Sequence, residues 1–197
     1  MKAVIILVVL IGFVFLGLFN FIPTSVQIFM AGVAPCSDYY KSDEKNGYLV
    51  KVINNIFRVR YMEFDTSVIK NDSLYGSYEI IRPLLLASDE TNGMCNAEIE
   101  VLYHRFVDLG SPIDYYMANG ATALHEAIIS GNKWFVVLLL ESGADPMVPL
   151  DKKGKLNGLN SLELAKRIES KDNQSIRLEI TALIEDKIHQ AQASLRH

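Results

Sequence analysis

His125 and Glu126 open a string of the H-E-x-x-H type and are the first residues to weigh for chemistry. That pattern works because the second His lies one helical turn on, so both imidazoles reach one zinc ion. Position 129 is Ile, which removes the second ligand. His104, His189 and His197 are scattered and read as surface residues. The two cysteines, Cys36 and Cys95, lack C-x-x-C spacing, which argues against a zinc or thioredoxin-like site. They lie 95 − 36 = 59 residues apart and stay open to two readings, a disulfide or two free thiols. A bridge closing such a loop would contribute about 4 kcal/mol on the chain-entropy account. There is no G-x-S-x-G elbow, no glycine-rich phosphate loop and no close carboxylate pair. The sequence therefore offers no catalytic, metal or cofactor set and points away from an enzyme.

The elements that hold His125 are more informative. Thr122 is placed to cap a helix, its hydroxyl accepting from an orphan backbone N–H. Leu124, Ala127 and Ile128 follow at helical spacing, and Gly131 can end the helix in a left-handed conformation. Phe135, Val136, Leu138, Leu139 and Leu140 make the buried face of a second helix, which Gly143 ends in the same way. Trp134, at the start of that helix, is expected to pack between neighbouring units rather than stand exposed. A helix pair this short cannot bury both faces alone and needs neighbours stacked on it.

The whole stretch from Gly120 to Pro146 resembles one repeat of the ankyrin family, G-x-T-P-L-H-x-A, Gly, then an apolar helix ending L-L-x-x-G-A-D-P. Gly120, Thr122, Leu124, His125, Ala127, Gly131, Leu139, Leu140, Gly143, Ala144, Asp145 and Pro146 match it, and Ala123 departs from it. The resemblance makes His125 structural, its ring bonded to backbone near a hairpin. A weaker copy begins at Arg82-Pro83-Leu84 and ends its second helix, Ile99 to Leu109, at Gly110; Gly143 is 143 − 110 = 33 residues on, the ankyrin period. About seven inserted residues in this copy are placed as a loop at Ser88 to Met94. A third copy runs Gly158-Leu159-Asn160-Ser161-Leu162-Glu163-Leu164-Ala165, with Asn160 as cap and Glu163 where His would stand. It is five residues late, which Asp151 to Lys155 accounts for. Its second helix is expected over Ser175 to Ala191, with Ile176, Leu178, Ile180, Leu183, Ile184 and Ile188 apolar.

The expected fold is therefore all-α: a solenoid of about three repeats (81–114, 115–147 and 153–186) with helical caps in a domain spanning 38–197. A capping helix is expected over Tyr48 to Met62. Before it, Ala3 to Ile22 is long and apolar enough to span a membrane, and 23–37 reads as a linker broken by Pro23 and Pro35. A signal-anchor is preferred over a cleaved signal peptide, because Pro35 would follow the Gly32-Val33-Ala34 cleavage site; a buried core helix is the third reading. Lys2 favours the cytoplasm for the N-terminus and the periplasm for the domain, with secretion after cleavage as the alternative.

A net charge of −4, with no basic run interleaved with aromatics, argues against nucleic acid as a partner. The resemblance implies protein binding through hairpin tips and the inner face of the first helices. In the middle repeat these positions are Met117, Ala118, Asn119, Ala121, Ile129 and Ser130. In the third they are Lys155, Leu156, Asn157, Leu159, Arg167 and Ile168, with Lys152 and Lys153 in the same basic hairpin. By analogy, a small anchored ankyrin protein facing the periplasm looks like an immunity or inhibitor protein that blocks a toxic envelope-targeted effector such as a phospholipase. An envelope scaffold or accessory factor is the alternative.

Overall fold

The computed structural model describes Ala31, Ile53, 55–57, 81–90, 96–117, 119–151, 156–168 and 174–194. Among the described residues these helices have both ends placed: α1 (Ile81–Glu90), α2 (Asn96–Asp108), α3 (Ala123–Ser130), α4 (Lys133–Glu141), α5 (Ser161–Arg167) and α6 (Gln174–Ser194). No strand occurs among the described residues, which are all-α as read. The expected membrane span, Cys36 and Cys95 lie outside the described residues. Among the residues that are described, no helix is long and apolar enough to cross a membrane. Of the expected capping helix, residues 55–57 are helical, and Phe57 is buried.

The middle pair shows why these segments are helices. At 8 and 9 residues, α3 and α4 are below the roughly 12–15 at which isolated helices become marginal, so caps and packing must hold them. Thr122 caps α3 in a capping box: its side chain accepts from the His125 N–H, and the His125 ring accepts from the Thr122 N–H. Gly131 closes α3 at φ 77°, a left-handed conformation that costs glycine little. Asn132 then caps α4, accepting from the Phe135 N–H at 3.0 Å. Gly143 follows α4 at φ 98°, and the Ala144 N–H bonds back to the Leu139 carbonyl at 2.9 Å.

Packing runs in two layers. The first helices touch in sequence, α1 on α3 and α3 on α5; α4 packs on α6, and each pair packs internally. Tyr103 of α2 meets Phe135 of α4 edge to face at 6.0 Å, which joins the first two second helices. Leu124, Ile128, Phe135 and Leu139 are fully buried between these layers. Burial of each such side chain stabilises by about 1.5–3 kcal/mol. Trp134 is half-buried against the core, edge-on to Phe135, and so takes the packed position expected of it.

One expectation is corrected. Ser88 is not in a loop: α1 continues through Glu90, and Ser88 is buried. Its hydroxyl donates to the Leu85 carbonyl at 2.7 Å and accepts from Asn132 Nδ2 at 2.6 Å, which welds α1 to the start of α4. Along α6 the apolar residues divide: Leu178 is 64% exposed, whereas Ile180 and Ile184 are buried. Two positions along a helix turn a side chain about 200° away, so Leu178 and Ile180 cannot share a stripe.

Candidate protein-binding surface

The surface proposed from sequence lies where the chain passes from one helix pair to the next. The Met117 N–H donates to the Ala121 carbonyl, and the Gly120 N–H to the Met117 carbonyl, both at 2.8 Å. The Leu150 N–H donates to the Leu159 carbonyl, and the Gly158 N–H to the Leu150 carbonyl, again at 2.8 Å. The two turns carry the same pair of bonds, but the second spans 159 − 150 = 9 positions against 121 − 117 = 4. The five extra residues lie between Leu150 and Leu159, where the sequence spacing placed them.

The capping box recurs as well. Asn160 accepts from the Glu163 N–H at 2.9 Å, and Glu163 Oε2 accepts from the Asn160 N–H at 3.0 Å. Glu163 thus does with a carboxylate what His125 does with an imidazole. His125 is fully buried, and Nδ1 must be the lone-pair nitrogen because the Thr122 N–H points at it from 3.1 Å. Nε2 is buried too, with no hydrogen bond of ordinary geometry, although the Val148 backbone lies close enough to favour the charged ring. Burial pushes the imidazole down to about 4, against smaller upward pulls from the Val148 backbone and Glu126. In the structure this residue completes the capping box of α3.

Further bonds lock successive connections side by side. The Asp145 N–H donates to the Asp114 carboxylate at 3.0 and 3.1 Å, and the Tyr116 hydroxyl to the Pro149 carbonyl at 2.7 Å. The Asp151 N–H donates to the Gly120 carbonyl at 2.9 Å. Arg177 reaches back from α6 to the end of α3, donating to the Ile128 and Ile129 carbonyls. A cation there satisfies orphan carbonyls at the negative end of the helix dipole. Sequence reasoning did not single out Arg177, because its partners stand 48 and 49 residues away.

Placed on this frame, the sequence candidates separate. Met117 and Ala121 are corrected: both are buried, because the tight turn folds over them and seats Met117 in the core as Leu150 is seated next door. Neither can meet a partner. Asn119 is half-buried and engaged, its Oδ1 accepting from the Ala121 N–H at 3.0 Å and its amide donating to Glu126. Ile129 packs partly on the core, and Ser130 is exposed with its hydroxyl donating to the Ala127 carbonyl. Arg167 and Asn157 are exposed, and Leu156, Leu159 and Ile168 are half-buried. Ala118, Lys152, Lys153 and Lys155 lie outside the described residues. Sequence reasoning missed the exposed Tyr115 and Met147, each in a connection between helix pairs.

Among the described residues, no group of His, Cys, Asp and Glu could hold a metal ion. A shallow groove of about 400 Å³ on α2 is lined by Val101, His104, Arg105, Asp108 and Leu109, with no arrangement of an acid, base and nucleophile. Comparison with models of protein families, with curated proteins and with solved structures finds no match to this chain.

Proposed function

We propose that the chain is a short ankyrin-repeat protein of about three repeats that binds another protein through its concave face. The observation that carries this reading is recurrence. The capping box at Thr122 and His125 returns at Asn160 and Glu163, and the turn at Met117–Ala121 returns at Leu150–Leu159. In a solenoid the second helices form the outer wall, so the free surface is left to the tips and the first helices. Ser130, Arg167 and the hairpin lysines Lys152, Lys153 and Lys155 are the residues proposed to meet the partner.

The biological role we propose is that of an immunity or inhibitor protein, anchored by Ala3 to Ile22 with its domain in the periplasm, that neutralises an envelope-targeted effector such as a phospholipase. An envelope scaffold is the second reading. Between Phe106 and Asp151 the chain carries six carboxylates and one Lys, beside a hairpin with three Lys, so it has the makings of two oppositely charged surfaces.

Two experiments test this reading. Changing Lys152, Lys153 and Lys155 to Glu is expected to slow association with a pulled-down partner about tenfold or more at low salt, and less at high salt, with the melting temperature kept. Unchanged surface plasmon resonance kinetics would sink the concave-face site. For topology, a C-terminal alkaline phosphatase fusion is expected to be active and to stay in membranes through an alkaline carbonate wash. A soluble, trimmed product would overturn the anchor.

A further inference from the structure

Asparagine followed by glycine occurs four times in the chain, at Asn46, Asn92, Asn119 and Asn157. The pair matters chemically because a side chain on the second residue would shield its own backbone nitrogen, and glycine has none. That nitrogen can then reach the side-chain carbon of the asparagine. Asn119-Gly120 and Asn157-Gly158 lie among the described residues, at the same place in successive turns between helix pairs. In each turn the glycine takes a positive φ, 75° at Gly120 and 78° at Gly158, and its N–H donates to a carbonyl at 2.8 Å. The backbone around the two glycines is thus alike.

The asparagine side chains differ. Asn119 is half-buried, its Nδ2 donates to Glu126, and its Oδ1 accepts from the Ala121 N–H at 3.0 Å, so both ends of the amide are held. Asn157 is exposed and makes no side-chain hydrogen bond among the described residues. Gly158 is exposed as well, with open space where a Cβ would stand. The N–H bond that must open before Gly158 can react also closes the longer loop. Its acceptor, Leu150, lies 158 − 150 = 8 positions back, against 120 − 117 = 3 for Gly120 and Met117. Opening a longer loop releases more chain freedom.

We propose that Asn157 is a modification site, at which the folded chain deamidates spontaneously while Asn119 is held back. Hydroxide takes the Gly158 N–H proton, and the nitrogen forms a bond to Asn157 Cγ. The Cγ–Nδ2 bond breaks, and Nδ2 leaves as ammonia after taking a proton from water. Water then opens the cyclic imide at either carbonyl and leaves an aspartate or an isoaspartate at position 157. The net reaction consumes one water and releases one ammonia. Net charge moves from −4 to −4 − 1 = −5, and the new carboxylate stands 157 − 155 = 2 positions from Lys155. The modification does not depend on the concave-face reading; only a weaker hold on an acidic partner would rest on it.

The test incubates the purified full chain in nonionic detergent at mildly alkaline pH, folded or in concentrated urea. Proteolytic peptides are followed by mass spectrometry, with aspartate and isoaspartate separated by chromatography. In the folded chain Asn157 is expected to deamidate about tenfold or more faster than Asn119, from the two hydrogen bonds that Asn119 must give up. In urea the two should react at about the same rate, because both precede glycine. Glu126→Ala should speed the reaction of Asn119 several-fold and leave that of Asn157 unchanged. Glu126→Gln keeps an oxygen to accept from Asn119 Nδ2 and should restore the slow rate. Equal rates at the two positions in the folded chain, or faster loss at Asn119, would overturn the proposal. So would a ratio in urea as large as in the folded chain, which would assign the difference to the neighbouring residues and not to the fold.

Discussion

Replacing Leu139 with alanine is expected to lower folding stability by about 2–5 kcal/mol, the range for a buried leucine cut to a methyl. Leu139 is fully buried in α4, the helix that packs on both α3 and α6. Its carbonyl also accepts the Ala144 N–H, which turns the chain out of α4 toward the next pair. That backbone bond survives the substitution, so the loss reports the side chain alone. The cavity would open in the pair that both neighbours lean on, with little chance to collapse. Because a stack of helix pairs draws its stability from nearest-neighbour contacts, damage at the centre should uncouple both sides. Urea unfolding followed by far-UV circular dichroism checks this. Leu178→Ala, in the same protein, is the control: Leu178 is largely exposed, and its loss should fall within about 0.5 kcal/mol. Equal effects at the two positions would mean that α4 is not the centre of the core.

The contrast between Leu139 and Leu178 marks what the sequence could show. Where a signal is local, it was legible. Thr122 with His125, Asn160 with Glu163, and the positive-φ Gly131 and Gly143 are each set by a few neighbouring residues, and each appears where the spacing placed it. Buried stripes in α3 and α4 were legible because their apolar residues leave little choice of face. Ser88 was not, because its helical, buried state depends on Asn132, 44 residues away. A run of Ser, Asp, Glu, Thr, Asn and Gly reads as loop until that partner is known. The burial of Met117 had a signal that went unused: Leu150, 33 residues later, is also apolar at the base of its turn. Two apolar residues one period apart belong to the core. Tyr115 and Met147 carried no comparable signal, since exposure of a large apolar residue in a connection depends on how tightly the neighbouring loops pack.

Acidification is expected to weaken the fold through His125, by about 3 kcal/mol between pH 7 and pH 4. In the folded chain the imidazole is held down to about 4, chiefly by burial, against 6.5 in the open chain. Between those values the unfolded chain takes up a proton that the folded chain refuses. The contribution of His125 is therefore complete above about pH 6.5, declines as pH falls toward 4, and levels off below. Geometry supplies the reason. Nδ1 already receives the Thr122 N–H, so a proton placed there meets a donor instead of a lone pair and opens the capping box of α3. The Val148 backbone and then Glu126 favour the charged ring, but burial outweighs both. His125→Gln separates this term from the titration of the acidic residues. Its amide oxygen can take the role that Glu163 fills in the next unit, accepting the cap N–H without a titrating proton. Trp134 is the single tryptophan of the chain and sits beside Phe135 at the start of α4, so its fluorescence reports unfolding next to the site. Stability measured in urea from pH 7.5 to 4 should fall more steeply for the native chain than for His125→Gln. Parallel curves would show that His125 does not titrate with folding. A native curve that rises on acidification relative to the variant would show that the imidazole is stabilised as a cation in the fold.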